Sequence, residues 1–290
     1  MTNPMQSDPV PAIRENDAVG STAEIFADIR ETLNVDVVNL IWRHLATMPG
    51  VLEWVWDSLR PLYQGPAISR AECVRNSLTL PQISPFSSDL LFVAGIDGAA
   101  LASVGKILDS YQHTNALALV CFSAFLVRFD GSTPEQVQAP TTGGNRNKGS
   151  GPIVERAPLP RLIPVAEMPP ALARLVHELN EFGEDSDPDL VASMYRHLAH
   201  WPAYLALVRT LLVPLHRSGE LKSVVARVRT CGLELGGEMA PDILTRRPHQ
   251  KVEHILGAVR RFVRHPIARM TGICSLIRTA TPEWTGWPAP

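Results

Sequence analysis

Two stretches of this chain repeat each other. Asp36–Leu62 and Asp189–Leu215 match without a gap at a fixed offset of 153 residues. The identities are Asp36/Asp189, Val38/Val191, Arg43/Arg196, His44/His197, Leu45/Leu198, Ala46/Ala199, Pro49/Pro202 and Leu52/Leu205, then Val55/Val208, Leu59/Leu212, Pro61/Pro214 and Leu62/Leu215. Trp42 answers to Tyr195 in the same register. So dense a match points to internal duplication, and two copies of a long unit in one chain imply a pseudo-two-fold arrangement like a fused dimer. A seam between like units is a favoured place for a pocket.

Each unit must then bury its own apolar surface. The 290 residues are 45% hydrophobic and 19% charged, a globular balance. The formal charge of −2 gives no global field to recruit nucleic acid or an anionic membrane. Arg260, Arg261, Arg264 and Arg269 cluster at helical spacing, which reads first as a solvated face and only then as an anion site. Cys73, Cys121, Cys231 and Cys274 make no C-x-x-C pattern, so neither a zinc nor a redox motif is expected. With no basic-then-apolar leader, cytoplasmic residence with free thiols is the expectation. The longest near-apolar run, Ala116 to Val127, is too short to span a bilayer and reads as a buried helix.

No segment alternates with period two for long, and apolar residues recur at helical spacing throughout, so the predicted fold is all-α. The expected division is a flexible arm at 1–20, a helical repeat at 21–135, a linker at 136–170, a second repeat at 171–280 and a tail at 281–290. Ser21-Thr-Ala-Glu24 fits a capping box. Helices are expected over Val35–Thr47, Leu52–Tyr63 with Pro61 as a kink point, and Ser69–Leu78. The span Ala99–Phe129 reads as helical, with Gly105 or His113-Thr114 as division points. The linker is glycine-rich at 141–151 and proline-dense at 152–170. Beyond it, helices are expected over Ala171–Phe182, from an Asp187-Pro-Asp189 cap to Trp201, over Tyr204–His216, over Leu221–Leu235 with a stop at Gly236-Gly237, and twice between Ile243 and Arg278.

Asp28-Ile-Arg30, Leu33, Val35, Val38 and Arg43-x-Leu-Ala-Thr-x-Pro-Gly50 resemble the first repeat of the group I 2-haloacid dehalogenases. Asn115 in Gln112-His-Thr-Asn-Ala-Leu, and Leu198-Ala-His-Trp-Pro202, resemble later parts of that family. The resemblance implies an all-helical pseudo-dimer with its active site between the repeats. There an aspartate activates water, which displaces halide from a short 2-haloacid, with no covalent ester and no cofactor. An asparagine assists, and it falls on Asn115. The aspartate falls on Met194, which cannot accept a proton. Aromatic pocket positions fall on Val37, Leu40, Met48 and Ala118, none of them aromatic.

Other groups can be weighed as substitutes. Asp189 lies five residues before Met194, about 140° away around a helix of 3.6 residues per turn. Its plainer role, with Asp187, is at a helix N-terminus. His197 is three residues past Met194 on nearly the same side, and a neutral imidazole can act as base. The plainer reading of His197 and His44 is packing in the duplicated core, His44 facing its mate across the seam otherwise. Asn115 in an apolar helix holds either an inter-helix hydrogen bond or a water or substrate, and Tyr111 one turn earlier shares its side. Arg43 and Arg196 read as braces before substrate anchors. Trp42, Trp54, Trp56 and Trp201 read as packing.

The candidate catalytic residues are therefore Asn115 and His197. The candidate pocket residues are Val37, Leu40, Met48, Tyr111, Ala118, Ser193 and Met194. No metal or organic cofactor is expected. The expected partner is a small molecule, such as a short carboxylic acid, with no nucleic acid and no membrane; a homodimer is compatible with the sequence. Two functions fit: water-mediated halide displacement, or a repurposed role in an apolar inter-repeat pocket.

Overall fold

A computed structural model describes residues 10–130, 159–183, 187, 190–244 and 249–283. Every regular element among them is helical. In chain order these are α1 (Gly20–Leu33), α2 (Leu40–Leu45), α3 (Val51–Tyr63), α4 (Ala67–Ser77), α5 (Ser88–Val93), α6 (Gly98–Asp130), α7 (Pro170–Glu181), α8 (Ser193–Leu198), α9 (Pro202–Arg217), α10 (Glu220–Met239), α11 (Val252–Phe262) and α12 (Ala268–Ala280). A π-helical turn, Val263–Ile267, joins the last two and contains Pro266. The starts of α2 and α8 lie 153 residues apart, as do those of α4 and α10.

Helix α6 organises the molecule. Its 33 residues rise about 50 Å at 1.5 Å per residue. It runs unbroken through Gly105 and His113, and a methyl group added at Gly105 would meet nothing within 4 Å. Its first half gives Leu101, Val104, Ile107 and Leu108 to the second of two apolar cores, shared with α7, α8, α9 and α12. Its second half gives Ala116 to Leu126 to the first, built on α1–α4 and α11. The C-terminal arm crosses between cores likewise: Ile255 to Ala268 join the first, and Met270 to Ala280 the second. Trp42, Trp56 and Phe122 fill the first core, with Trp42 and Trp56 edge to face at 5.4 Å between centroids. Trp54 packs on Phe125 and Phe129, and Trp201 lies against the second core.

Several local expectations need correction. The capping box does not form: Val19 precedes α1 without a side-chain cap, and the Ser21 hydroxyl donates to Glu53 instead. The helix expected over Val35–Thr47 is short, because Asn34 adopts a left-handed conformation (φ 52°) that ends α1 and releases Val35–Asn39 from helix. Asp187 is no N-cap; it pairs with Arg261, and α8 starts only at Ser193. Asp189, the linker before residue 159, residues 1–9 of the arm and residues 284–290 of the tail lie outside the described residues.

Gly236-Gly237 does not stop a helix either. α10 runs on to Met239, with Gly232 and Gly236 pressed against α6. A methyl group at Gly236 would lie 2.5 Å from Ser123 Cβ and 2.7 Å from the backbone nitrogen of Ala124. The basic cluster is not one face. Arg260 pairs with Asp130 and Arg261 with Asp187, while Arg269 is buried and donates to the main chain and side chain of Asn180. All four cysteines are free. Among the described residues no helix is long and apolar enough to cross a membrane.

Candidate functional site

Where α6 passes from one core to the other, it stops being packed on every side. A cavity of about 70 Å³ opens there. From α6 come Ser110, Tyr111, Thr114 and Asn115; from the non-helical segment before α2 come Val37, Val38 and Asn39. Leu40, Ile41 and Arg43 of α2 join them, as do Ser193, Met194 and His197 of α8 with the preceding Leu190–Ala192. The C-terminal arm closes the space with Phe262, Pro266, Ile267 and Met270. A single water needs roughly 10–15 Å³ by this kind of measure, so the cavity has room for a solute of a few heavy atoms.

Leu190–Ala192 is held by one side chain. The buried Asn180 donates from Nδ2 to Leu190 O (3.2 Å) and accepts from Ala192 N (3.0 Å). Its Oδ1 also accepts from Arg269 (3.0 Å). The amide so fixes the loop that delivers Ser193 and Met194.

The walls are mostly apolar, and the polar groups are few. Asn115 is buried, and its Nδ2 donor has no hydrogen-bond partner. A buried amide without a partner costs about 1–3 kcal/mol, so an acceptor beside it would be favoured. The Tyr111 hydroxyl meets His197 Nδ1 at 2.8 Å. Burial, then the neighbouring Arg196, hold His197 down at about 4, against the opposing effect of the Pro160 carbonyl. The ring is therefore neutral at pH 7 and can accept the Tyr111 proton at Nδ1. Burial pushes the Tyr111 phenol up, while Arg196, the Ser193 hydroxyl and Arg43 ease it down. Arg43 Nε donates to Ile13 O and Arg196 Nε to Ile163 O, each at 3.1 Å. These two cations bias the neighbourhood of Tyr111 toward negative charge. Among the lining residues there is no carboxylate. Among the described residues no cluster of His, Cys, Asp and Glu could hold a metal ion.

Seven of the sequence-derived residues therefore share one cavity: Val37, Leu40, Tyr111, Asn115, Ser193, Met194 and His197. Met48 and Ala118 do not. Met48 sits in the turn after α2 and packs on the first core. Ala118 is nearly a full turn beyond Asn115, where α6 is already enclosed by that core. His44 does not face His197; it meets the carbonyl of Pro11 at 2.8 Å and packs on Phe262. Sequence reasoning missed the π-helical wall of Pro266 and Ile267. The offset of 153 that relates Asp36 to Asp189, added to His113 and Thr114, does reach those two positions, although no identity there marks it. An outer chamber of about 260 Å³, lined by Asp36, Lys106, Asp109 and His113, shares Ser110 and Leu159 with the cavity.

No protein-family model matches the chain. It is 27% identical over 114 residues to an (R)-2-haloacid dehalogenase of Pseudomonas putida, a match spanning 37% of this chain and 38% of that one. It is 24% identical over 268 residues to a configuration-inverting 2-haloacid dehalogenase of Pseudomonas sp. (strain 113), spanning 86% and 84%. Among solved structures, a D-2-haloacid dehalogenase in complex with L-LA superposes with a TM-score of 0.68 at 16% identity, over 93% of this chain and 96% of that one. A mutant D-2-haloacid dehalogenase in complex with D-2-CPA gives 0.65 at 16% identity, over 94% and 95%. The structural likeness establishes the all-helical fold, and the sequence matches add kinship to it: this chain is a distant relative of the group I 2-haloacid dehalogenases.

Proposed function

We propose that the cavity beside Asn115 takes a short 2-substituted carboxylic acid and that its reaction is hydrolytic displacement at the second carbon. The observation that carries this reading is the buried, unpartnered Asn115 Nδ2 beside a largely apolar space that Tyr111 and His197 also line. Such a space suits a small acid whose alkyl or halogen end prefers apolar walls, and whose anionic end is drawn toward the donor and cation side near Asn115 and Arg43. The names of the relatives support the choice of substrate class.

In this reading the chain is a duplicated helical unit, the two copies running over 21–135 and 171–280, with the cavity at their seam. Matching starts of α2 with α8 and of α4 with α10 support it, as do the paired carbonyl contacts of Arg43 and Arg196. Water is the nucleophile, and its proton passes toward His197 through the Tyr111 hydroxyl. A neutral imidazole whose conjugate acid has a pKa of about 4 matches the basicity of an ordinary carboxylate, which is about 3.9. Chloride release from each enantiomer of 2-chloropropionate tests the reading. Release from one enantiomer, lost in Asn115→Ala, is expected; no release from either overturns it.

A second reading is favoured by one observation. Met194 is fully buried on the wall where the resemblance puts the catalytic aspartate, and no carboxylate lines the described cavity. The chain would then bind a short acid without displacing halide. Thermal stabilisation by propionate and lactate, without turnover of the chloro-acid, is its signature.

A further inference from the structure

We propose that Ser193 is an acyl-accepting nucleophile, served by Tyr111 and His197, and that the cavity can cleave small esters of short acids. The inference rests on the cavity being the reactive site, but not on halide chemistry.

The geometry is asymmetric along α8. Of its six residues, Ser193 alone is not buried, and it lines the cavity. His197 lies four residues on, so both project from one side of the helix. Tyr111 of α6 stands beside both: its hydroxyl meets His197 Nδ1 at 2.8 Å, and it lines the same cavity as Ser193. The directions agree. A neutral His197 accepts from Tyr111, which leaves the phenol oxygen to accept from Ser193. The accessible hydroxyl is thus at one end and the buried base at the other. This pattern of nucleophile, intermediary and oriented base is the general arrangement for activating a hydroxyl. The unpartnered Asn115 Nδ2 supplies a donor for the negative oxygen that forms at an attacked carbonyl.

The step balances. Ser193 Oγ bonds to the carbonyl carbon as its proton moves to Tyr111 Oη and that of Tyr111 moves to His197 Nδ1. Collapse breaks the bond to the leaving alcohol oxygen, which takes a proton back along the same path. Water then attacks the acyl-serine by the same transfers and releases the acid, regenerating Ser193.

The test uses the full chain and two small probes. Diisopropyl fluorophosphate should phosphorylate Ser193, forming a P–O bond and releasing fluoride, and peptide mass mapping should locate the adduct there. p-Nitrophenyl acetate should give a burst of nitrophenol in proportion to protein. Both signals should vanish in Ser193→Ala. Both should slow at least tenfold in Tyr111→Phe and in His197→Asn, each checked for its thermal transition. Absence of an adduct on Ser193 in the folded wild-type protein overturns the proposal. So does labelling of Ser193 at an unchanged rate in whichever relay variant folds. Adduct formation without chloride release would sink only the halide reading, and chloride release without an adduct only this one.

Discussion

The hydroxyl of Tyr111 and Nδ1 of His197 stand 2.8 Å apart across the join between α6 and α8. A phenol proton can go to Nδ1 only while the ring is neutral, because the imidazolium has no lone pair there and would donate to the phenol oxygen instead. Burial and Arg196 hold the ring at about 4, whereas the unfolded chain has it near 6.5. Between those values the unfolded chain binds the extra proton, so stability falls as pH drops through about 6.5 to 4 and is complete above it. The loss should reach roughly 2–3 kcal/mol by pH 4.5. Denaturant melts at pH 7 and pH 4.5 measure it. His197→Asn should lose that much less over the same interval, and an equal loss in both proteins would assign the acid sensitivity elsewhere.

A second prediction concerns the wall position beside this pair. Met194 is fully buried and borders the cavity. Met194→Asp puts a carboxylate in a mostly apolar space, which raises its pKa and lowers the thermal midpoint. It also supplies a base where the resemblance calls for one. Chloride release from one enantiomer of 2-chloropropionate should rise at least tenfold over wild type at pH 8. Met194→Asn, with the same shape and no base, should gain nothing. Failure of a folded aspartate variant would mean that more than a base separates this cavity from its relatives.

The all-helical fold was legible in the sequence because helices are written in spacing. The residues that meet at the cavity were half legible. Asn115 stood out as an amide in an apolar helix, and His197 as an imidazole on nearly the same helical side as Met194. What spacing does not carry is which helix crosses which. Tyr111 reaches His197 only because the first half of α6 packs with α8. The segment Val35–Asn39 read as helix from its apolar content, yet the left-handed Asn34 and the β-branched Val35, Val37 and Val38 disfavour one there. Gly236-Gly237 read as a stop, though a glycine in a helix can equally mark a close approach of another backbone.

That last ambiguity gives a paired prediction. Alanine normally improves a helix interior over glycine by about 1 kcal/mol. At Gly105 an added methyl group meets nothing within 4 Å, so Gly105→Ala should stabilise by about 0.4–1 kcal/mol. At Gly236 the same methyl group would lie 2.5 Å from Ser123 Cβ, 2.7 Å from Ala124 N and 2.8 Å from Val120 O. Backbone cannot yield as a side chain can, so α10 must move off α6. Gly236→Ala should destabilise by about 1–3 kcal/mol despite its better propensity. Gly232→Ala falls between, since its neighbour is the Leu119 side chain, which can change rotamer. The three midpoints in urea should rank in that order.

Asn180 gives the prediction that joins stability to the site. It is 2% exposed, lies outside the cavity lining and touches no position where a solute would sit. Its amide satisfies Leu190 O, Ala192 N and Arg269 at once. Asn180→Ala removes these partners together, leaves Ala192 N and Leu190 O without that side chain, and takes one acceptor from a buried guanidinium. An unsatisfied buried group costs about 1–3 kcal/mol, and more for a charged one, so a loss of about 2–4 kcal/mol is expected. The loop that sets Ser193 and Met194 against the cavity then loosens. Acid binding by isothermal titration should weaken at least tenfold at a temperature where the variant is still folded. Asn180→Asp should do less harm: it keeps an acceptor for Ala192 N and adds a charge that suits Arg269, against the cost of turning the Nδ2 donor into an oxygen that faces Leu190 O. A variant that is destabilised by alanine but binds propionate as tightly as wild type would separate the loop from the site, and would leave Asn180 with a purely structural role.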